Sequence, residues 1–155
     1  MYIRSGQEEG AELLCGGKPY DDARAKGNFV PPTVFCNAPS HARIVREEIF
    51  GPVLTVDTVA SEDDALRKAN DTPYGLAGAV FTKDGARAQR VIRKLRAGVT
   101  WINTFHLTFN EAPWGGYKQS GFGRELGTAG YEAYTELKQI NTNLSSARLG
   151  WFSRI

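Results

Sequence analysis

The apolar positions of this chain change period several times, and each change marks an element. Val53-Leu54-Thr55-Val56-Asp57-Thr58-Val59 is rich in β-branched residues and predicts a strand. Ser61 and Asp64 have the spacing of a capping box, and Ala65, Leu66 and Ala69 then recur on one face of a helix running to Asn70. Asp71-Thr72-Pro73-Tyr74-Gly75 supplies a turn, and Leu76 to Thr82 predicts a second strand. Asp84 caps a second helix, in which Ala88, Val91, Ile92 and Leu95 fall at i, i+3, i+4 and i+7, and Gly98 closes it. Val99-Thr100-Trp101-Ile102 is a third strand. Two consecutive strand–helix–strand units imply parallel strands joined by right-handed crossovers, so the expected fold class is α/β with a parallel sheet.

The flanks are less regular. Met1 to Gly10 reads as the last turns of a helix closed by glycine, with nothing before it to cap its start, which is the pattern of a piece of a longer chain. Ala11 to Leu14 predicts a short strand ended by Gly16-Gly17, and residues 18–29 an exposed loop. Val30 to Phe35 predicts another strand, which Pro31 and Pro32 confine to an edge or an irregular position. Ser40 caps a short helix through Glu47. Past Asn103 the segment Thr104 to Gly127 is dense in glycine and aromatics and follows the carboxyl end of a parallel strand, where open α/β sheets place their sites. Gly127 to Tyr134 predicts a short helix. Thr135 to Leu144 alternates like a strand with no partner in its own chain, which makes it a candidate for pairing with a neighbouring subunit.

Composition narrows the class. With 155 residues, 41% hydrophobic and 23% charged, the chain has the makeup of a globular domain. A net charge of +2 from 19 basic and 17 acidic residues argues against a nucleic-acid binder, which concentrates basic charge on one face. Arg87, Arg90, Arg93, Lys94 and Arg96 do give the second helix a basic outer face, but no aromatic residues are interleaved there to stack bases. Neither the two cysteines, Cys15 and Cys36, nor the two histidines, His41 and His106, have zinc-ligand spacing, so no metal is expected. The sequence carries no membrane-spanning run and no signal-peptide pattern, which makes the cytoplasm the expected compartment and both cysteines reduced.

Three motifs fail on inspection. Gly121-Phe122-Gly123-Arg124-Glu125-Leu126-Gly127 resembles a dinucleotide fingerprint, but its last glycine comes one residue late and it does not sit between a strand and its crossover helix. Ser120 lies in Gln-Ser-Gly and not in a nucleophile elbow. Cys15 and Cys36 have no activating histidine or helix start nearby in sequence, so both read as small buried hydrophobes in strands. The residues by themselves assemble no complete catalytic constellation.

Several ordered blocks do carry a resemblance. Pro32-Thr33-Val34-Phe35, Arg46 to Pro52 with its Glu47-Glu48-Ile49-Phe50-Gly51-Pro52, Ala69 to Ala77, Ala79 to Asp84, Gly98 to Asn103 and Pro113 to Gly127 together resemble the NAD(P)-dependent aldehyde dehydrogenases. Those enzymes are much longer and combine a Rossmann-like cofactor domain, a catalytic domain with a cysteine nucleophile, and a protruding oligomerisation strand. This chain is similar to the C-terminal part of the catalytic domain (1–128), a short helix and the oligomerisation strand (129–144), and a C-terminal tail (145–155).

The resemblance implies a chemistry and its residues. In the family a cysteine attacks the aldehyde, hydride passes to the nicotinamide, and water activated by a glutamate releases the acid. The nucleophile's motif and most cofactor contacts lie upstream of the matched region. This chain is therefore expected to contain no nucleophile, to bind no NAD or NADP alone, and to be inactive alone. Glu48 matches the acid that holds the nicotinamide ribose hydroxyls. Phe50 matches the aromatic beside the nicotinamide, Trp114 a wall of the substrate pocket, and Glu125 a glutamate proposed to move protons. Read without the resemblance, Glu48 is a surface acid near a helix end, Phe50 is core, and Glu125 is a structural partner of Arg124. Pro113-Trp114-Gly115-Gly116, with Asn103-Thr104-Phe105-His106 and the closing Gly150-Trp151-Phe152, is similar to the betaine-aldehyde branch, whose substrate carries a trimethylammonium group. Phe105 is then a second wall or simply packed. A half-domain exposes surface that its absent half covers, so an oligomer or poor solubility is expected. The competing reading is a free-standing remnant that associates with full-length subunits through Thr135 to Leu144.

Overall fold

The computed structural model describes residues 1–147 and 150. It has ten regular elements: α1 (Tyr2–Glu8), β1 (Glu12–Cys15), β2 (Thr33–Cys36), α2 (Arg43–Arg46), β3 (Val53–Val56), α3 (Glu62–Asn70), β4 (Ala77–Val80), α4 (Gly85–Ile92), β5 (Val99–Ile102) and α5 (Gly127–Glu132). The strands form two sheets, β1-β2-β3 and β4-β5.

In the first sheet β1 runs antiparallel to β2 and β2 parallel to β3. Phe35 of β2 is fully buried and anchors a small core with Ala11, Ala42 and Ile44, against which Tyr2, Ile3, Leu13 and Val53 pack. Gly6 lets α1 approach this core. A β-carbon there would sit 2.8 Å from Ile44 Cδ1 and 3.2 Å from Phe35 Cζ. Gly10, at φ +89°, ends α1 in the left-handed conformation expected of a glycine cap. In the second sheet β4 and β5 are parallel in strict register, Ala77 opposite Val99 through Val80 opposite Ile102, and α4 packs on both.

Both crossover helices start where the sequence predicts. Ser61 Oγ accepts from Asp64 N at 3.1 Å, and Asp84 Oδ1 accepts from Arg87 N at 3.0 Å. Arg90 of α4 then makes a two-pronged pair with Glu62 of α3, at 2.7 and 2.8 Å, so part of the basic helix face is spent joining the two helices.

Three expectations need correction. β2 is the central strand of its sheet, because its ladder begins at Thr33 and neither Pro31 nor Pro32 is asked to donate a hydrogen bond. β3 and β4, the strands of the first crossover unit, lie in different sheets. Periodicity identifies elements, not neighbours. Ser40 caps nothing. α2 begins at Arg43, whose N–H donates 2.6 Å to the Glu9 carboxylate at the end of α1. Thr135 to Leu144 pairs with no strand of its own chain among the described residues, and a strand without a ladder partner is not formed in isolation. Of the expected tail, residues 148, 149 and 151–155, with Trp151 and Phe152, lie outside the described residues.

The chain does not close on itself. It exposes 12572 Å² of accessible surface, against about 7,700 Å² for a compact monomer of its mass. Part of the excess is the extended segment after α5, and part is large apolar side chains such as Phe50, Phe81, Phe122 and Leu137 left in the open. Among the described residues, no helix is long and apolar enough to cross a membrane.

The docking of α1 on α2 is expected to depend on pH. Glu47 accepts from Arg43 Nε at 2.9 Å, Arg43 Nη2 at 2.8 Å and Tyr2 Oη at 2.9 Å. The Arg43 guanidinium first, and the Tyr2 hydroxyl second, lower the Glu47 carboxyl from 4.5 to about 2. Glu9 is also held below its ordinary value, by the Ser5 hydroxyl and then the Arg43 N–H. Folded values depressed in this way give stability that is present above the unfolded value of 4.5 and lost as the pH falls through about 2. Amide exchange of residues 2–8 is therefore expected to be flat from neutral pH down to about 5 and to accelerate below it, beyond the intrinsic pH dependence of exchange. In Glu47→Gln the acid-dependent part should shrink.

Candidate functional site

Glu48 and Phe50 lie two residues apart on the connection between α2 and β3. Glu47 is committed to Arg43 and Tyr2, but the exposed Glu48 carboxylate accepts no hydrogen bond and pairs with no cation among the described residues. It borders a cleft of about 640 Å³ between the α2 end (Val45 to Glu48) and the start of β4 (Leu76 to Ala79). Phe50 is 93% exposed and held at φ +51°. The reading of Phe50 as core is thus wrong. A bulky ring turned to solvent at a left-handed backbone position is a surface waiting for a partner.

The second cluster is built on the carboxyl end of β5. Trp101 is buried, and its ring centroid lies 5.0 Å from Phe105 (edge-on), 6.2 Å from Trp114 and 6.4 Å from His106. Phe105 and His106 stack at 4.4 Å. Trp114 and Phe105, nine residues apart in sequence, therefore flank one indole. The backbone of Trp114 is fixed by a two-hydrogen-bond bridge with Glu125, at 2.7 and 2.8 Å, which places Glu125 beside the aromatic wall. Glu125 does not pair with Arg124. That guanidinium instead donates to the Gly116 and Gly123 carbonyls and lies over Tyr117.

The loop carrying Trp114 is clasped to the turn after α3. Lys118 Nζ donates to the Asn70 and Thr72 carbonyls at 2.9 and 3.0 Å, neutralising the carboxyl end of α3. Ser120 Oγ accepts from Gly75 N at 2.9 Å, and Gln119 N donates to Pro73 O at 3.0 Å. Ser120 has a structural job, consistent with its failure as a nucleophile. Asn70 continues the clasp, donating to Lys94 O and accepting from Arg96 N.

No hydrogen bond or ring contact joins Glu48 or Phe50 to Phe105, Trp114 or Glu125 among the described residues, so the two groups form separate clusters. Cys15 is exposed and Cys36 half-buried, which corrects the reading of both as buried hydrophobes. Burial first, and the neighbouring Glu12 second, push the Cys36 thiol up, the reverse of an activated nucleophile. Among the described residues no cluster of His, Cys, Asp or Glu could hold a metal. In the sequence Trp101 reads only as a strand residue, and Lys118 carries no assigned role. A lone Trp in a strand beside an aromatic-rich loop was the available signal, because a buried indole N–H seeks an acceptor.

Comparison with known proteins places this geometry. Residues 1–140 match the aldehyde dehydrogenase family. The chain is 55% identical over 153 residues to betaine aldehyde dehydrogenase of Bacillus subtilis (strain 168), covering 98% of this chain and 31% of that protein. It is 48% identical over 151 residues to the chloroplastic betaine aldehyde dehydrogenase of Beta vulgaris, covering 97% and 30% respectively. A crystal structure of betaine aldehyde dehydrogenase from Staphylococcus aureus in complex with NAD+ superposes with a TM-score of 0.90 at 51% identity, covering 99% of this chain and 31% of that one. The chain thus spans about a third of the length of the relatives it matches.

Proposed function

The chain belongs to the aldehyde dehydrogenase family, and from that premise we propose that it is the C-terminal portion of an NAD(P)-dependent enzyme that oxidises an aldehyde, betaine aldehyde foremost, to its acid. In this reading residues 1–128 end the catalytic domain, 129–144 are a short helix and oligomerisation strand, and 145–155 are the tail. The enzyme works in the cytoplasm.

The residues present fit the cofactor that the Staphylococcus aureus relative holds. Among the described residues Glu48 is a carboxylate without a partner and Phe50 an exposed ring, groups suited to a ribose diol and a flat heterocycle. When bound, NAD+ accepts the hydride. The part of this chain is to grip the ribose through Glu48 and pack the ring edge with Phe50. Glu125, exposed and free of an ion pair among the described residues, would pass protons near the pocket, a role supported by its backbone bridge to Trp114. The nucleophile is neither Cys15 nor Cys36, so the chain alone is inactive and binds no cofactor by itself.

The observation that carries the substrate reading is the aromatic cluster. Trp114 and Phe105 are held about one indole, and an indole face is the best aromatic surface for a desolvated cation, contributing about 2 kcal/mol. Grafted in place of the matching segment of the Bacillus subtilis enzyme, these residues are expected to support NAD+ reduction on betaine aldehyde, whereas the isolated chain gives none. In the graft, Trp114→Ala is expected to lower kcat/KM for betaine aldehyde about 30-fold. The neutral isostere 3,3-dimethylbutanal should suffer far less. Equal losses on both substrates would sink the cation reading.

A second reading is favoured by the surface after α5. Leu137, Ile140 and Leu144 are exposed on a segment with no strand partner among the described residues, the form of an element that pairs with another subunit, whether a second copy or a full-length relative. Deleting residues 135–144 would then abolish co-purification with a full-length homologue, and unchanged co-purification would exclude the segment as the contact.

A further inference from the structure

Trp101 does more than fill the space under β5. Its side chain is 7% exposed, and its indole Nε1 donates to the Leu107 carbonyl at 2.9 Å. Between these residues the loop passes through two left-handed non-glycine positions, Asn103 at φ +55° and His106 at φ +65°. Such conformations persist only where the surroundings hold them, and they cluster at ligand-binding sites. Here they are held at both ends. Asn103 reaches back to Thr82, donating to its carbonyl at 3.0 Å and accepting from its N–H at 2.8 Å. The Trp101 indole pins the far end at Leu107. Phe105 stands between the two pins, edge-on to the same indole that Trp114 approaches from the loop clasped by Lys118.

One rigid ring therefore sets the position of both aromatic walls. We propose that Trp101 is a positioning residue that fixes the spacing of Phe105 and Trp114 and so selects substrates ending in a quaternary ammonium group. This rests on the substrate reading above, but assigns the selectivity to a residue that touches no substrate. A pocket for a bulky cation needs its faces pre-set, because a mobile ring must first be ordered at the expense of affinity.

The test uses Trp101→Phe, which keeps a ring and removes the N–H, and Asn103→Asp, which keeps the acceptor and removes the donor at the other pin. In the grafted enzyme each is expected to raise KM for betaine aldehyde about tenfold with kcat little changed. The preference for betaine aldehyde over 3,3-dimethylbutanal should fall with it. On the 155-residue chain, amide exchange of residues 104–109 should accelerate while β5 stays protected. A graft with no preference before mutation overturns the substrate reading and this inference with it. A preference that survives both variants overturns this inference alone, as does a uniform loss of kcat on both aldehydes. If Trp101→Phe fails to fold, Asn103→Asp carries the test.

Discussion

Replacing Gly98 with alanine is expected to release the whole Thr104 to Gly127 segment from the domain. Three stretches of backbone cross at this glycine. The Gly75 carbonyl accepts from both Gly98 N, at 3.0 Å, and Tyr117 N, at 2.8 Å, and the Gly115 carbonyl lies directly over the Gly98 α-carbon. A β-carbon on Gly98 would fall 1.8 Å from that oxygen and 2.8 Å from its carbon, and neither is the movable end of a side chain. Backbone must shift, at a cost of about 3 kcal/mol or more, and the segment that can shift is the one carrying Trp114. The expected signature is rapid protease cleavage within residues 104–127 and a lower melting temperature. Gly85 is the control. It opens α4 with open space around the site of a β-carbon, so Gly85→Ala should be neutral or stabilise by up to about 1 kcal/mol. Equal tolerance at both glycines would show that the crossing is not tight.

Phe35→Ala is expected to be the most damaging change to the first sheet. Phe35 is fully enclosed, contacted by α1 through Gly6 and surrounded by Ala11, Ala42 and Ile44. Its neighbours are small or already anchored, so the site collapses poorly and the loss should reach about 3–5 kcal/mol. For a chain of this size that corresponds to roughly 10 °C or more in melting temperature. A domain with this much surface in the open has little stability to spare, and α1 should fray first. The measurement is thermal unfolding beside Val56→Ala, an exposed position at the end of β3 where the loss should be small. Similar melting temperatures for the two variants would show that the core does not depend on Phe35.

Local chemistry was readable wherever the cause and its effect lay within a few residues. Ser61 and Asp84 cap their helices because a hydroxyl or carboxylate two or three residues ahead of a free N–H can reach it whatever the rest of the fold does. The strand–helix–strand order anticipated β4 beside β5, but by the same rule it also put β3 beside β4, which the structure separates. Gly98 was misread for the opposite reason. Its position after a periodic run suggested a helix end, yet α4 stops at Ile92 and the glycine is required by a chain segment seventeen residues on. Glu47 and Glu48 are chemically identical neighbours in the sequence. Only Arg43 and Tyr2, brought together by the packing of α1 on α2, commit the first and leave the second free.

Taken by itself, the sequence determined most of the elements, their order, the starts of α3 and α4 and, through its ordered motifs, the family. Those follow from side-chain period and short-range hydrogen bonding, which act over one or two turns. Only the tertiary structure decided that β2 is central, that β3 and β4 lie in separate sheets, that Phe50 faces solvent, and that one indole joins Phe105 to Trp114. Each of these depends on which surfaces meet. That is settled by burial and backbone pairing between residues far apart in the chain, which no local pattern encodes.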